Sequence, residues 1–162
     1  MNRLIRRIAC AVMAFTLMAG VFTGCKANKA TKVDLPQFTS VKDAEGNLPE
    51  KGKINDMEYS ILSKDQFGCY NKDRGYYIDM LEQLDSPYFI IISAGKEAPS
   101  GTDIRIADFG MKDSTLVIVV EEYLDSKAEY KDLNCPCAVL EVTQMPADLL
   151  IVSTTGEQFN AI

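Results

Sequence analysis

The residues available for chemistry are defined first by one that is missing. The chain has 162 residues, five Cys, no Trp and no His. Without an imidazole it cannot assemble a Ser-His-Asp triad, a Cys-His dyad or a His-ligated metal site. Cys135 and Cys137 are separated by Pro136, which puts both thiols on one face of an extended segment. Zinc sites favour two-residue gaps between thiolates, so the simpler reading is a pair of small buried residues at a sheet position, one of them able to pair with Cys69. Glu121 and Glu122 are adjacent; on a strand they point to opposite faces and cannot work as an acid–base couple. Asp103 and Asp108 flank an alternating stretch and read as solvated. Asp125, Glu129 and Asp132 alternate with Lys127 and Lys131 in a mixed-charge loop. No calcium loop and no phosphate-binding glycine loop is present. Neither an enzyme site nor a metal or organic cofactor is expected.

The most distinctive local feature is Ser93-Ala94-Gly95-Lys96-Glu97-Ala98-Pro99-Ser100-Gly101-Thr102. Gly95 and Gly101 open backbone conformations closed to other residues, and Pro99 stiffens the tip. A stiff loop carried by a sheet loses little entropy on docking, which suits it to recognition. The candidate partner-binding residues are therefore Gly95, Lys96, Glu97, Pro99, Ser100, Gly101 and Thr102.

A second chemistry-bearing residue is Cys25. Arg3, Arg6 and Arg7 precede an uncharged apolar run, Ile8–Thr23, of 16 residues, short for a transmembrane helix. The run ends in Val21-Phe22-Thr23-Gly24-Cys25, which resembles the bacterial lipobox. That resemblance implies a signal peptide over 1–24, cleavage after Gly24, diacylglycerol on the Cys25 thiol and an N-acyl chain on the new terminus. The expected location is then extracytoplasmic, lipid-anchored at the cell membrane or outer surface. Residues 25–32 read as a lipidated tether and 33–162 as one β-rich domain. From residue 25 onward the chain has 14 Lys and Arg against 23 Asp and Glu, a formal charge of −9. So acidic a chain lacks the basic footprint of a nucleic-acid binder.

The elements that must position these residues are mostly strands. Met57, Tyr59 and Ile61 alternate with Glu58, Ser60 and Leu62, the period of a half-buried strand. Tyr76, Tyr77, Met80, Leu81 and Leu84 recur at three- and four-residue spacing, which predicts a short amphipathic helix over about 73–84, ended by Pro87. Beyond Pro87 the pattern is all strand: Tyr88–Ile92, Thr102–Phe109, a turn at Gly110–Asp113, Leu116–Val120, Cys137–Val142 and Leu149–Val152. Continuous apolar runs should lie centrally and alternating ones peripherally. The expected fold is mainly β, in the α+β sense: an antiparallel β-sandwich or small open barrel with one helix.

The run Tyr-Phe-Ile-Ile-Ile-Ser-Ala-Gly-Lys-Glu-Ala-Pro-Ser-Gly from Tyr88, the strand Leu116–Glu121, and Asn134-Cys135-Pro136-Cys137-Ala138-Val139-Leu140-Glu141-Val142 together resemble the C-terminal domain of the PrcB family, accessory subunits of a protease complex. Members read aromatic-Val-Val-Ile-Ser-x-Gly-Glu-Lys-Pro-Thr-Gly-Gly-Tyr, then a Val-rich strand, then Thr-Tyr-Pro-Tyr-Ala-Val-Val. The likeness covers about 87–145. Ser100 replaces the Thr, Thr102 and Asp103 replace Gly-Tyr, and Cys135 and Cys137 stand where the aromatics would be. The resemblance implies a non-catalytic lipoprotein that binds a partner protein through the Gly95–Thr102 loop and stabilises or regulates a protease complex. The Pro99–Gly101 stretch is also similar to the Asn-Pro-Thr-Thr-Gly loop of chagasin-like inhibitors, which implies direct inhibition of a peptidase as the alternative. A small-ligand or cell-wall-binding lipoprotein is a third expectation.

Overall fold

The computed structural model describes residues 31–63, 73–80, 87–96, 98, 101–124 and 135–162. Residues 1–30, with the expected signal peptide, Cys25 and most of the tether, lie outside the described residues, as does Cys69. Ten strands are described: β1 (Thr39–Ser40), β2 (Lys51–Ile54), β3 (Met57–Leu62), β4 (Gly75–Met80), β5 (Tyr88–Ser93), β6 (Thr102–Lys112), β7 (Thr115–Leu124), β8 (Cys137–Val142), β9 (Asp148–Ser153) and β10 (Gln158–Phe159). They form two five-stranded sheets, ordered β1-β6-β7-β9-β10 and β2-β3-β8-β5-β4. The expected β-sandwich is present. The strands Tyr88–Ser93, Thr115–Leu124 and Cys137–Val142, whose apolar runs are continuous, all have a strand on either side.

Three details differ from the sequence expectations. Residues 75–80 form a strand, not the start of a helix over 73–84; residues 81–84 lie outside the described residues. Gly75–Met80 pairs antiparallel with Ser93–Tyr88 along its whole length. The β-forming Tyr76-Tyr77-Ile78 sequence and that ladder prevail over the helical spacing of the apolar residues. The expected Gly110–Asp113 turn is tighter, because β6 runs on to Lys112, which pairs with Thr115. Only Asp113 and Ser114 turn the chain, with Asp113 at φ 53°, a conformation that Asp tolerates. Finally, β7 and β9 run parallel. Between them the chain crosses to the other sheet as β8 and returns in its original direction.

The core lies between the sheets. Ile104, Ile106 and Phe109 of β6, Leu116, Ile118 and Val120 of β7 and Ile151 of β9 meet Tyr59, Ile90, Ile92, Leu140 and Val142. Each fully buried side chain of this size stabilises the fold by about 1.5–3 kcal/mol. Tyr59 and Phe109 meet edge to face across the gap, ring centres 4.7 Å apart. The phase of the alternation slips at Ala107, where the β6–β7 register shifts between Ile106 and Asp108. That bulge lets Ile104, Ile106 and Phe109 all reach the core.

Both described ends of the chain are tied into the sheets. Val33 N–H donates to the Gly156 carbonyl and Gln158 N–H to the Thr31 carbonyl, at 2.8 and 2.9 Å. Val33 and Phe38 then pack on the outer face of the first sheet against Val117, Val119 and Val152. At the other end, Tyr76 N–H donates to the Asn160 carbonyl and Ile162 N–H to the Tyr76 carbonyl, at 2.9 and 3.0 Å. The segment after β10 thus joins the edge of the second sheet, linking the two sheets along one side.

Candidate functional site

The Gly95–Thr102 loop springs from β5 and returns in β6, so it connects one sheet to the other. Its first foot is held by hydrogen bonds and close packing. Ser93 is fully buried, and its Oγ accepts the Gly95 N–H at 3.1 Å. Ala94 N–H donates to the Pro136 carbonyl at 2.9 Å, and Ala98 N–H to the Gly95 carbonyl at 3.3 Å. Gly95 sits at φ +80°, and a Cβ there would lie 2.9 Å from the Arg74 backbone nitrogen. Glycine is required twice over, once for the torsion and once for the contact. Gly101, at φ +79°, closes the loop. Lys96 is exposed and Thr102 half-buried. The candidate residues Glu97, Pro99 and Ser100 lie outside the described residues.

Arg74 is the residue the sequence reading missed. Its guanidinium forks onto Glu122: Nη1 donates to Oε1, and Nη2 donates to Oε2 at 2.9 Å. Nη2 also donates to Glu157 Oε2 at 3.2 Å. The carbon of the same group lies 4.1 Å from the centre of the Phe159 ring. Arg74 precedes β4 in the second sheet, whereas Glu122, Glu157 and Phe159 belong to β7 and the β9–β10 turn and strand of the first. One side chain therefore ties both sheets together directly beneath the loop foot. Bidentate geometry with cation–π support makes arginine, not lysine, the residue for this position. The available signal was scarcity: Arg74 and Arg105 are the chain's only arginines beyond residue 7.

Asp103 is buried, not solvated as expected, whereas the Asp108 side chain stays 23% exposed. Asp103 is 7% exposed; one carboxylate oxygen accepts the Ile104 N–H at 2.9 Å and the other accepts the Tyr123 hydroxyl at 2.9 Å. Tyr123 stands directly opposite Asp103 in the β6–β7 ladder, so the pair forms across the strands. Asp108 Oδ1 accepts the Ser40 hydroxyl at 2.6 Å and the Phe109 N–H at 2.8 Å, pinning β1 to the β6 bulge. Glu121 and Glu122 do point to opposite faces: Glu121 pairs with Arg105 at 2.7 Å outside, and Glu122 with Arg74 inside.

A groove runs between β6 and the start of β8, lined by Leu62, Asp103, Arg105, Tyr123, Cys137 and Val139. At about 210 Å³ it is smaller than the roughly 300–1,000 Å³ of sites that enclose a drug-sized ligand. Cys135 and Cys137 are both buried, at 7% and 6% exposure. Cys137 packs with Phe89, Ile91 and Val139 on the outer face of the second sheet. Among the described residues, no group of three or more acidic or thiol side chains is arranged to hold a metal ion. Nor is any helix among them long and apolar enough to cross a membrane.

Comparison with protein-family models, curated proteins and solved structures finds no match to this chain.

Proposed function

We propose that the protein is a non-catalytic, extracytoplasmic lipoprotein whose sandwich binds a partner protein through the Gly95–Thr102 loop, stabilising or regulating a protease complex. The observation that carries the reading is the anchorage of the loop. Its first foot is held by buried Ser93 and by Gly95 packed on the Arg74 backbone. Arg74 is itself held by two carboxylates from the opposite sheet. A loop foot so buttressed has little ordering left to do on binding. The resemblance of residues 87–145 to the protease-accessory family supplies the partner class. The lipobox-like Val21–Cys25 supplies the location.

Capture from detergent-solubilised membranes tests the loop. Wild-type protein should retain a protease-complex component that a Lys96→Glu, Pro99→Ala, Ser100→Ala triple variant loses. Identical partner lists remove the loop from the reading. A Cys25→Ala variant should lose metabolic lipid labelling, and unchanged labelling sinks the anchor. The second reading is direct peptidase inhibition, favoured by the similarity of Pro99–Gly101 to chagasin-like loops. Titrating purified protein against cysteine and serine peptidases separates the two, since inhibition without a third component belongs to the inhibitor alone.

A further inference from the structure

Five large apolar side chains among the described residues are markedly exposed, and three of them flank one edge. Ile78 and Met80 of β4 are 43% and 56% exposed, and Ile162, hydrogen-bonded to β4 at Tyr76, is 41% exposed. Alternation puts Ile78 and Met80 on the same face as Tyr76, which packs against the core. That face should be covered by the first sheet, but the edge strand there, β10, has only two residues. The sandwich is therefore open over Ile78 and Met80, while Ile162 lies around the edge, against Gly75 on the other face.

The tether enters on this same side. Thr31 is bonded to Gln158 of β10, and two residues later Asn160 is bonded to Tyr76 of β4. Those steps place Thr31 on the order of 15 Å from the β4 edge. Thr31 lies six residues after Cys25, a maximum span of about 20 Å when fully extended. The tether contains Lys26, Lys29 and Lys32 and no acidic residue, the polarity suited to anionic headgroups. We propose that the β4 edge rests on the lipid bilayer that receives the Cys25 lipid, with Ile78, Met80 and Ile162 entering its interfacial region. This contact rests on the reading of Cys25 as lipidated. It orients the domain with the β4–β10 side toward the membrane and the β2 side of the same sheet away from it.

The absence of Trp makes the test direct, because a single introduced indole is the only one to report. Full-length lipidated Met80→Trp and Lys53→Trp proteins are reconstituted into vesicles of phosphatidylethanolamine and phosphatidylglycerol with brominated acyl chains. Lys53 lies on β2, at the opposite edge of the sheet. Emission from the Met80→Trp protein should shift to the blue and lose more than half its intensity to bromine, with little change for the Lys53→Trp protein. Equal quenching of both, or of neither, in protein shown by mass to carry lipid overturns the contact while leaving the anchor intact. Protein that carries no lipid overturns both. A blue shift that grows with protein concentration but is insensitive to bromine assigns the edge to a second copy of the chain, and also overturns the proposal.

Discussion

Arg74 and Arg105 invite comparison because they have the same chemistry in two settings. Each pairs with a glutamate of β7, and each lies over an aromatic ring, Phe159 at 4.1 Å and Tyr123 at 5.1 Å. Arg105 joins two adjacent strands that the ladder already holds in register, directly opposite Glu121. Its side chain is 63% exposed and that of Glu121 36%. Arg74 joins two different sheets, beside the backbone bonds of Tyr76 with Asn160 and Ile162, and its side chain and that of Glu122 are 31% and 25% exposed. The difference teaches that the contribution of an ion pair follows from what else holds its partners together. At Arg105 the pair decorates a hairpin; at Arg74 it fixes the distance between layers and the footing of a loop.

The largest expected effect is at the inter-sheet pair. Arg74→Ala leaves Glu122 half-buried with no fork and should cost about 1–3 kcal/mol, read as a lowered urea midpoint. If the comparison is right, Lys will not rescue it, because an ammonium lacks the planar fork that grips both Glu122 oxygens while reaching Glu157. Next, Gly95→Ala should cost about 1–2 kcal/mol, since it combines a left-handed torsion with a Cβ against the Arg74 backbone. Hydrogen exchange at the amides of Gly95 and Ala98 should quicken in the same variant. Arg105→Ala should cost no more than about 0.5 kcal/mol and less in high salt; an effect equal to that of Arg74→Ala would dissolve the distinction between the two sites.

The smallest effect lies outside both. The Asn47 backbone N–H, bonded to Asp43, holds that exposed carboxyl below its ordinary 3.8. A depressed carboxyl stabilises the fold above that ordinary value, and the gain is lost as pH falls through the folded one. A carbon-detected titration should place the Asp43 midpoint under 3.8. Asn47→Ala, which removes the side-chain amide and keeps the backbone N–H, should raise that midpoint slightly.

Strands whose side-chain pattern reflects burial on one or both faces were legible in the sequence. The alternation of Met57–Leu62 and the runs at Tyr88–Ile92 and Leu116–Val120 gave the right elements, because burial on one or both faces writes directly into side-chain type. Gly75–Met80 was not legible. Its apolar residues serve an edge strand with one packed side and one open one, and their spacing happens to match a helical turn. Asp103 was misread because strand alternation predicts a face but not what stands across it, and Tyr123 is 20 residues away. Arg74 was invisible for the same reason, its partners lying 48 and 83 residues on. The loop could be recognised from its glycines and proline, whereas the side chain that steadies its foot could be found only in space.

The way both described ends are secured has a consequence for how the molecule forms. Val33 waits for Gly156, and Tyr76 waits for Asn160 and Ile162; β7 meets its parallel neighbour only after the chain has visited the other sheet. Contacts of such long sequence separation are slow to close. A chain emerging from its N-terminus would carry β4 with its outer border unsealed until Asn160 and Ile162 arrive. The stretch from Gly156 to Ile162 thus acts as a fastener between the two sheets, and the interval before it engages is when an exposed border is most open to pairing with the wrong chain.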